Sequence, residues 1–257
     1  MRILNLCTLS LLLVAPCLDA QVTVVKDSKP VSRILVEKGV EVDNQAALLL
    51  QDFLKRISSA TLPVLTDKTP RKGDIVIGKK DVSGLTEDGF RLQTDNGIVY
   101  ISSGGDKGNI YGVVTLLEDY LGVSYYGANA YTLTERPTVV IPELNRAENP
   151  AFRYRQSQCY AMREDPVYKQ WFRFEEPSEV FAGGMWVHTF DRILPSDVYG
   201  AAHPEYYSFI NGERRPGKAS QWCLTNPELF ELVAQKIDSI FKANPGKNMI
   251  SVSQNDG

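Results

Sequence analysis

The sequence predicts an α+β domain followed by the first part of a (β/α)8 TIM-type barrel, and three observations support this prediction. Residues 21–142 alternate short strands with two amphipathic helices. Residues 143–150 are polar and end in a proline, which is typical of a linker. Residues 151–257 then follow the order strand, loop, strand, loop, helix, strand, which is typical of the start of an alternating array with parallel strands.

The length of the second segment decides how much of a barrel it can form. A complete barrel of this kind needs about 250 residues. The predicted barrel segment, 151–257, supplies fewer than half of them. We therefore expect the barrel to be truncated and the chain to be a piece of a longer protein. A small three-layer domain is the alternative.

Residues 1–20 have the pattern of a secretory signal peptide. Arg2 precedes an apolar run that ends in short side chains, which predicts cleavage before Gln21. The run is too short to span a bilayer, and no later segment is long and apolar enough, so no membrane span is expected. The protein is therefore predicted to be secreted or periplasmic. Attachment to the outer surface through a lipid on Cys17 is an alternative, which the preceding proline fits poorly.

Composition and charge exclude one class of partner. The chain is 43% hydrophobic and 23% charged, with a formal net charge of −3, which is typical of a globular protein. The charges are interspersed and form no basic stripe, so no nucleic-acid partner is expected. After signal cleavage only Cys159 and Cys223 remain, so one disulfide or two free thiols are the alternatives.

The strands of the N-terminal domain are predicted from runs of β-branched and aromatic residues bounded by turn residues. These runs are QVTVV, RILVEKG, LPVLTD, GDIVIGK, VSYYG and PTVVIP. Between residues 88 and 105, Asn96 and Gly97 supply the positive φ angles that a tight hairpin turn needs. This pair therefore predicts a β-hairpin.

Two helices are predicted in the same domain. Apolar residues at helical spacing indicate a helix at 43–60, with Asp43 or Asn44 as its N-cap. A second amphipathic pattern indicates a helix at 107–122 that ends at Gly122. Together with the strands they make an α+β domain of ordinary size.

In the second segment, strands are predicted at AFRYRQSQCY, GGMWVHTF and NMISVSQNDG. The clearest helix of the chain, NPELFELVAQKIDSIFKANPG, has Asn226 as N-cap and Pro227 at its first position. Its expected buried stripe consists of Leu229, Leu232, Val233, Ile237, Ile240 and Phe241.

The stretch from Trp186 to Arg215 is the candidate functional segment, because both histidines of the chain, His188 and His203, lie in it. Carboxylates, aromatic rings and guanidinium groups surround them in sequence. Aromatic faces that stack and charged edges that form hydrogen bonds suit a polar, ring-shaped ligand such as a sugar. A polar loop beside a core strand is the competing interpretation.

Several motifs resemble known carbohydrate-active families. The helix GNIYGVVTLLEDYLGVSYYG, in which Gly112 permits close packing, resembles the helix that closes the small N-terminal domain before the catalytic barrel of α-glucuronidases and β-hexosaminidases. The segment PAFRYR resembles the entry strand of the hexosaminidase barrel, which implies that Arg155 binds sugar hydroxyls.

A second resemblance spans nearly all of the chain after residue 20. The motifs HTF, HPEYYSFINGERR, WCLTNPE and SVSQNDG are similar to a bacterial family that carries domain of unknown function 4838, in which an α-glucuronidase-like domain precedes a barrel. This resemblance implies a secreted glycoside hydrolase, here a fragment, that acts on a polysaccharide or glycan containing uronic acid or hexosamine. The Asp-Glu pair of the hexosaminidases does not occur before Gly257, so that mechanism is not carried over.

Glycosidic cleavage generally needs two carboxyl groups, and the catalytic groups of such barrels lie at the C-terminal ends of the strands. Asp256 follows the last predicted strand, and Glu205 lies in a loop that could reach over the strand ends. We therefore predict these two as the catalytic carboxylates. A turn cap for Asp256 and a surface carboxylate for Glu205 are the competing roles.

A carbohydrate ligand also needs hydrogen-bonding and stacking groups. The residues predicted to contact it are Arg155, Tyr160, Trp186, His188, His203 and Asn255. Core packing is the competing role for the aromatic residues, and a structural loop contact is the alternative for His203. The chain has no HxH or HExxH spacing, so neither a metal nor another cofactor is expected.

Three classes of function remain open. The first is the glycoside hydrolase that the resemblance implies, and the second is a non-catalytic carbohydrate-binding protein on a hydrolase-like scaffold. The third, a structural module, would bind no sugar. The sugar, the linkage, the stereochemical outcome and the oligomeric state are not determined by the sequence.

Overall fold

The computed structural model describes residues 21–78, 80–105 and 107–256. The predicted signal peptide, residues 1–20, lies outside the described residues. The chain divides into two compact units, one that ends at Ala151 and one that begins at Phe152. In the described part of the chain, no helix is long and apolar enough to cross a membrane.

The first unit is a mixed α/β structure. Its elements in chain order are β1 (Val22–Lys26), β2 (Lys29–Pro30), β3 (Ile34–Val36), α1 (Glu41–Ser58), β4 (Val64–Thr66), β5 (Ile75–Ile77), β6 (Phe90–Asp95), β7 (Ile98–Ser103), α2 (Gly108–Thr115), β8 (Ser124–Gly127), β9 (Ala130–Thr132), β10 (Val139–Ile141) and β11 (Asn145–Glu148). The main sheet has the strand order β11, β6, β7, β5, β3, β4. Strands β7, β5, β3 and β4 run parallel, whereas β6 and β11 are antiparallel to their neighbours.

Helix α1 forms where the apolar periodicity predicts it and buries the predicted stripe. The buried residues of that stripe are Ala46, Leu49, Leu50, Phe53, Leu54 and Ile57. The predicted cap was wrong: the helix begins at Glu41, and its N-cap, Val40, makes no side-chain capping bond. Asp43 instead lies within the helix, where its buried carboxylate accepts a hydrogen bond of 2.6 Å from the Asn109 side chain on α2. Asp43 therefore joins two helices and does not cap one.

The predicted hairpin and the close helix packing are both present. Asn96 and Gly97, at φ 51° and 73°, connect β6 to β7. On α2, a Cβ at Gly112 would lie 2.7 Å from Ile101 Cγ2 of β7, so only glycine lets the helix pack this closely on the sheet. The helix continues as one π-helical stretch over Leu116–Tyr120.

The predicted linker at 143–150 was wrong, because it contains strand β11. This strand pairs antiparallel with β6 along the edge of the main sheet. An edge strand pairs on one side only and often carries charged side chains, so its composition is similar to that of a linker. Arg146 of β11 also donates a hydrogen bond to the Asp119 carboxylate.

The second unit contains short helices, loops and one long helix. Its elements are α3 (Tyr160–Glu164), α4 (Pro166–Trp171), α5 (Pro177–Val180), α6 (Phe190–Ile193), α7 (Ser196–Tyr199), β12 (Phe209–Ile210), β13 (Glu213–Arg214) and α8 (Pro227–Ala243). Its core includes Trp222, which stacks on Phe190 with ring centroids 3.9 Å apart.

The three strands predicted for this unit are not formed in the described residues, so the structure shows mixed α/β elements and not a barrel. Residues 181–189 and 249–253 do run side by side in parallel, with a bridge between Phe181 and Met249. Gly183, Gly184 and His188 interrupt the first segment, because their φ angles of 59°, 64° and 52° are incompatible with an extended strand.

Helix α8 begins as predicted. The Asn226 side chain accepts a hydrogen bond of 3.1 Å from the Leu229 N–H, and Pro227 occupies the first helical position. The predicted buried stripe is only partly buried: Leu229 and Val233 are buried, whereas Leu232, Ile237, Ile240 and Phe241 are half-buried.

Candidate functional site

Each histidine of the second unit lies beside a carboxylate. His188 Nε2 lies 3.4 Å from Asp256 Oδ2, and His188 Nδ1 lies 3.2 Å from the Gln254 carbonyl oxygen. A carbonyl can only accept a hydrogen bond, so Nδ1 carries the proton and Nε2 faces the carboxyl group. The backbone of His188 is left-handed, at φ 52°.

The buried side chain of Thr189 aligns the two segments that carry this pair. Its hydroxyl donates to the Ser251 carbonyl at 2.8 Å and accepts from the Ser253 N–H at 2.9 Å. The Thr189 N–H also donates to the Ser253 carbonyl at 3.0 Å. These bonds hold the segment that leads to Asp256 alongside the segment that carries His188.

Asn255, predicted to contact a ligand, is only 7% exposed and is used by the fold. Its amide nitrogen donates to the Lys218 carbonyl at 3.2 Å and to the Ser220 carbonyl at 2.9 Å. Its own carbonyl accepts a bond of 2.6 Å from the Gln221 side chain. Its contacts therefore fix the backbone beside Asp256 and leave little of the side chain for a ligand.

Asp256 itself is open to solvent. Its side chain is 94% exposed, whereas that of His188 is 49% exposed. An exposed carboxyl group next to an imidazole can exchange protons with a bound ligand.

The second pair consists of His203 and Glu205. His203 Nδ1 lies 3.0 Å from Glu205 Oε1, and the imidazole stacks on the Tyr206 ring with centroids 4.6 Å apart and planes 5° apart. Hydrogen bonds from the residue's own N–H and from His203 lower the pKa of Glu205, and the positive charge of Arg214 adds to the effect. Glu205 therefore favours its ionised form.

The two predicted catalytic carboxylates are not in contact. In residues 21–78, 80–105 and 107–256, no hydrogen bond or ion pair joins Glu205 to Asp256, and each has a histidine as its partner. The structure thus brings together His188 with Asp256, and His203 with Glu205.

The remaining predicted ligand residues differ in accessibility. Arg155 is held within the fold, because its guanidinium donates to the Arg173 and Phe152 carbonyl oxygens and to Glu175 at 3.0 Å. Tyr160 is 78% exposed, and Trp186 is half-buried. The rings of Tyr160 and Trp186 are therefore accessible. Arg155, in contrast, ties residues 152–155 to residues 173–175.

Sequence reasoning missed one feature, a groove beside α8. It has a volume of about 610 Å³, and its lining includes Tyr199, His203, Tyr206, Glu228, Glu231 and Gln235. A signal for it was present, because positions 228, 231 and 235 are spaced three and four residues apart and share one face of a helix. We refer to it below as the α8 groove.

The described residues contain no group of three or more His, Cys, Asp or Glu side chains that could hold a metal ion. Cys159 and Cys223 are both free thiols and both partly exposed. Hydrogen bonds from the Ser157 side chain and the Met162 N–H lower the pKa of Cys159. The functional groups that this region offers to a ligand are therefore carboxylates, imidazoles and aromatic rings.

Two family models match the chain. The domain of unknown function DUF4838 matches residues 125–257, about half of the chain. Domain 2 of glycosyl hydrolase family 20 matches residues 19–119. No curated protein matches the sequence significantly.

Solved structures with partial similarity are carbohydrate-active enzymes. The GH20 exo-β-N-acetylglucosaminidase from Vibrio harveyi is 21% identical over 52% of this chain and 18% of its own, with a TM-score of 0.36. The N-acetyl-β-hexosaminidase of Streptomyces plicatus is 15% identical over 85% and 41%, with a TM-score of 0.44. A family GH115 4-O-methyl-α-glucuronidase is 16% identical over 52% and 19%, with a TM-score of 0.37. The chain spans less than half the length of each.

Proposed function

The chain belongs to the DUF4838 family, and we propose that it is part of a secreted glycoside hydrolase that acts on a polysaccharide or glycan. The match of residues 19–119 to domain 2 of glycosyl hydrolase family 20 supports a carbohydrate-active protein. The observation that carries the proposal is the pair of His188 and Asp256, with 3.4 Å between Nε2 and Oδ2.

In this proposal the pair of His188 and Asp256 supplies the acid. One proton shared by the imidazole and the carboxyl group passes to the glycosidic oxygen as the bond to the anomeric carbon breaks. Glu205 is the second carboxylate. Its lowered pKa, caused by hydrogen bonds from its own N–H and from His203, suits the ionised partner that acts as nucleophile or base.

The other predicted residues have different proposed roles. The rings of Trp186, Tyr160 and His203 are accessible, so we propose that they stack on sugar faces or bond sugar hydroxyls. Arg155 and Asn255 would act through the loops that they hold. We also propose that residues 1–20 are removed on export, so N-terminal sequencing of the exported protein should begin at Gln21; a protein that begins at Met1 would contradict this.

The second candidate is a non-catalytic carbohydrate-binding protein. The observation that favours it is the absence of any contact between Glu205 and Asp256 in the described part of the chain, since a hydrolase needs two carboxyl groups that converge on one bond. A binding protein needs no such convergence.

The test uses the natural protein at its full length and a panel of uronic acid and hexosamine glycosides. Wild type, Asp256→Asn and a control, Asp238→Asn, would be compared for sugar release. Asp238 is exposed on α8 and pairs with Lys242. We expect Asp256→Asn to lower turnover by about 100-fold or more, as for the loss of a general acid, and Asp238→Asn to retain it.

The outcomes separate the candidates. Sugar release that Asp256→Asn abolishes and Asp238→Asn retains supports the hydrolase and places Asp256 at the reaction. Binding of a glycan without release by any variant supports the binding protein. If no glycoside is bound or cleaved, both candidates fail.

A further inference from the structure

The α8 groove has an aromatic side, formed by residues between 199 and 206. His203 covers Tyr206, which is only 5% exposed, with planes 5° apart, so the accessible rings of the groove are those of His203 and Tyr199. The volume of about 610 Å³ is within the range of small-molecule sites. Flat aromatic faces bind both the apolar face of a sugar ring and a positive charge. The groove is wide open to solvent, and its accessible rings offer a sugar unit a surface to stack on.

The opposite side of the groove is acidic. Glu228 and Glu231 are exposed on one face of α8, followed one turn later by Gln235. Neither glutamate forms an ion pair within the described residues, whereas Asp238 on the same helix pairs with Lys242 at 2.5 Å. The helix dipole favours an acidic residue in the first turn, which accounts for Glu228 but not for Glu231.

Negative charges from both sides of the groove, those of Glu228 and Glu205, act on the ring of Tyr206. Burial raises the pKa of Tyr206, and the negative charges of Glu228 and Glu205 raise it further. Two basic groups lie nearby: Lys236 Nζ is 5.5 Å from the Tyr199 ring centroid, and Arg214 acts on Glu205. The two unpaired glutamates therefore make the α8 side of the groove attractive to a cation and repulsive to a carboxylate.

From these contacts we propose that the α8 groove binds the ammonium-bearing units of an amino-sugar chain. The sugar rings stack on the aromatic side, and the amine lies between Glu228 and Glu231, with Gln235 available to the hydroxyls. This inference rests on the proposed function, because it names the class of glycan, and it predicts that uronic acid chains are rejected.

The test is isothermal titration calorimetry of the natural full-length protein with three probes: a glucosamine hexamer, its fully N-acetylated counterpart and a galacturonate hexamer. The inference predicts that the glucosamine hexamer binds about tenfold or more tightly than the acetylated one, and that added salt reduces this preference because it screens exposed charges. The galacturonate hexamer should bind most weakly.

Matched variants assign the preference to the groove. The double variant Glu228→Gln, Glu231→Gln keeps the size of both side chains and should lose the preference for the glucosamine hexamer. Asp238→Asn removes a carboxylate from the same helix outside the groove and should keep it. Circular dichroism of each variant verifies that α8 remains folded.

The failure of this inference differs from the failure of the proposed function. Equal affinity for the glucosamine and acetylated hexamers, tighter binding of galacturonate, or a preference that survives in the double variant would overturn the groove inference, even if glycosides are hydrolysed. Preferential binding of the glucosamine hexamer without any sugar release would support the groove inference and contradict the hydrolase.

Discussion

The two units of the chain differ in how their backbone segments are held together. In the first unit, α1 buries a complete apolar stripe against a six-stranded sheet. In the second, polar side chains such as Arg155 and Thr189 tie distant backbone segments together, and the apolar stripe of α8 stays partly exposed. The difference shows that a unit can be compact with little regular sheet when side chains replace the hydrogen bonds that neighbouring strands would supply.

The largest expected effect is a loss of stability in the first unit on Phe53→Ala. Phe53 is 2% exposed and packs edge-to-face on Tyr125, with centroids 6.3 Å apart. Its truncation should lower the free energy of unfolding by about 3–5 kcal/mol. Hydrogen–deuterium exchange of α1 peptides in increasing urea measures it. As a control, Leu224→Ala, at a position 74% exposed, should change stability by less than about 0.5 kcal/mol; similar losses at both positions would contradict the comparison.

In the second unit, the largest expected loss of stability follows from removal of the Arg155 charge. Arg155→Ala removes an ion-pair partner 3.0 Å from the carboxylate of Glu175, whose side chain is only 7% exposed. The free energy of unfolding should fall by about 3 kcal/mol, as for other broken buried pairs. Hydrogen exchange of residues 173–175 would report it, with the exposed Arg215→Ala as control. A loss below about 1 kcal/mol would show that the second unit does not depend on this clamp.

A pH titration measures how much one buried polar contact, that of Asp74 with Arg33, stabilises the first unit. Burial disfavours the charged form of Asp74, but hydrogen bonds from Arg33 and from the Arg71 N–H outweigh it, so the pKa of Asp74 is lowered. A group with a lowered pKa stabilises the fold above its unfolded value of about 4, and this contribution disappears as the pH falls through the folded value. The urea midpoint should therefore drop between pH 6 and pH 3, and less so in Asp74→Asn. An equal drop in both proteins would exclude Asp74 as the cause.

The smallest expected effect concerns the cap of α8. Asn226→Ala removes the bond to the Leu229 N–H, and the free energy of unfolding should fall by about 1 kcal/mol. Asn226→Ser, which can also cap, should be near wild type. Thermal unfolding followed by circular dichroism distinguishes the two. If Ser and Ala behave alike, the cap contributes nothing to the second unit.

Much of the first unit could be predicted because its signals are local. The apolar spacing of α1, the Asn96-Gly97 turn and the glycine at position 112 each specify their conformation within a few residues. Strand β11 was missed because a polar strand at a sheet edge has the composition of a linker. Its identity depends on the partner strand and not on its own residues.

The second unit was predicted less well, for two physical reasons. Sequence composition did not show that His188 would adopt a left-handed backbone, and this residue helps to interrupt the predicted strand. Residue type also does not reveal which backbone carbonyl lies within reach. Arg155 and Asn255 were therefore predicted as ligand contacts, whereas their hydrogen bonds hold loops. The stretch that contains both histidines was predicted to be functional because titratable and aromatic residues cluster there, and its role stays a prediction.

The alignment of residues 181–189 with residues 249–253 has a consequence for how the chain folds. The Thr189 hydroxyl bonds to residues 62 and 64 positions away, and His188 to a carbonyl 66 positions away. Contacts across such long intervals form late, because the intervening chain loses entropy when its ends meet. The β6–β7 hairpin can close early, whereas the meeting of His188 with Asp256 must await the ordering of α8 and of the loops before it. A nascent chain would therefore acquire this acid–imidazole pair later than the local β6–β7 hairpin.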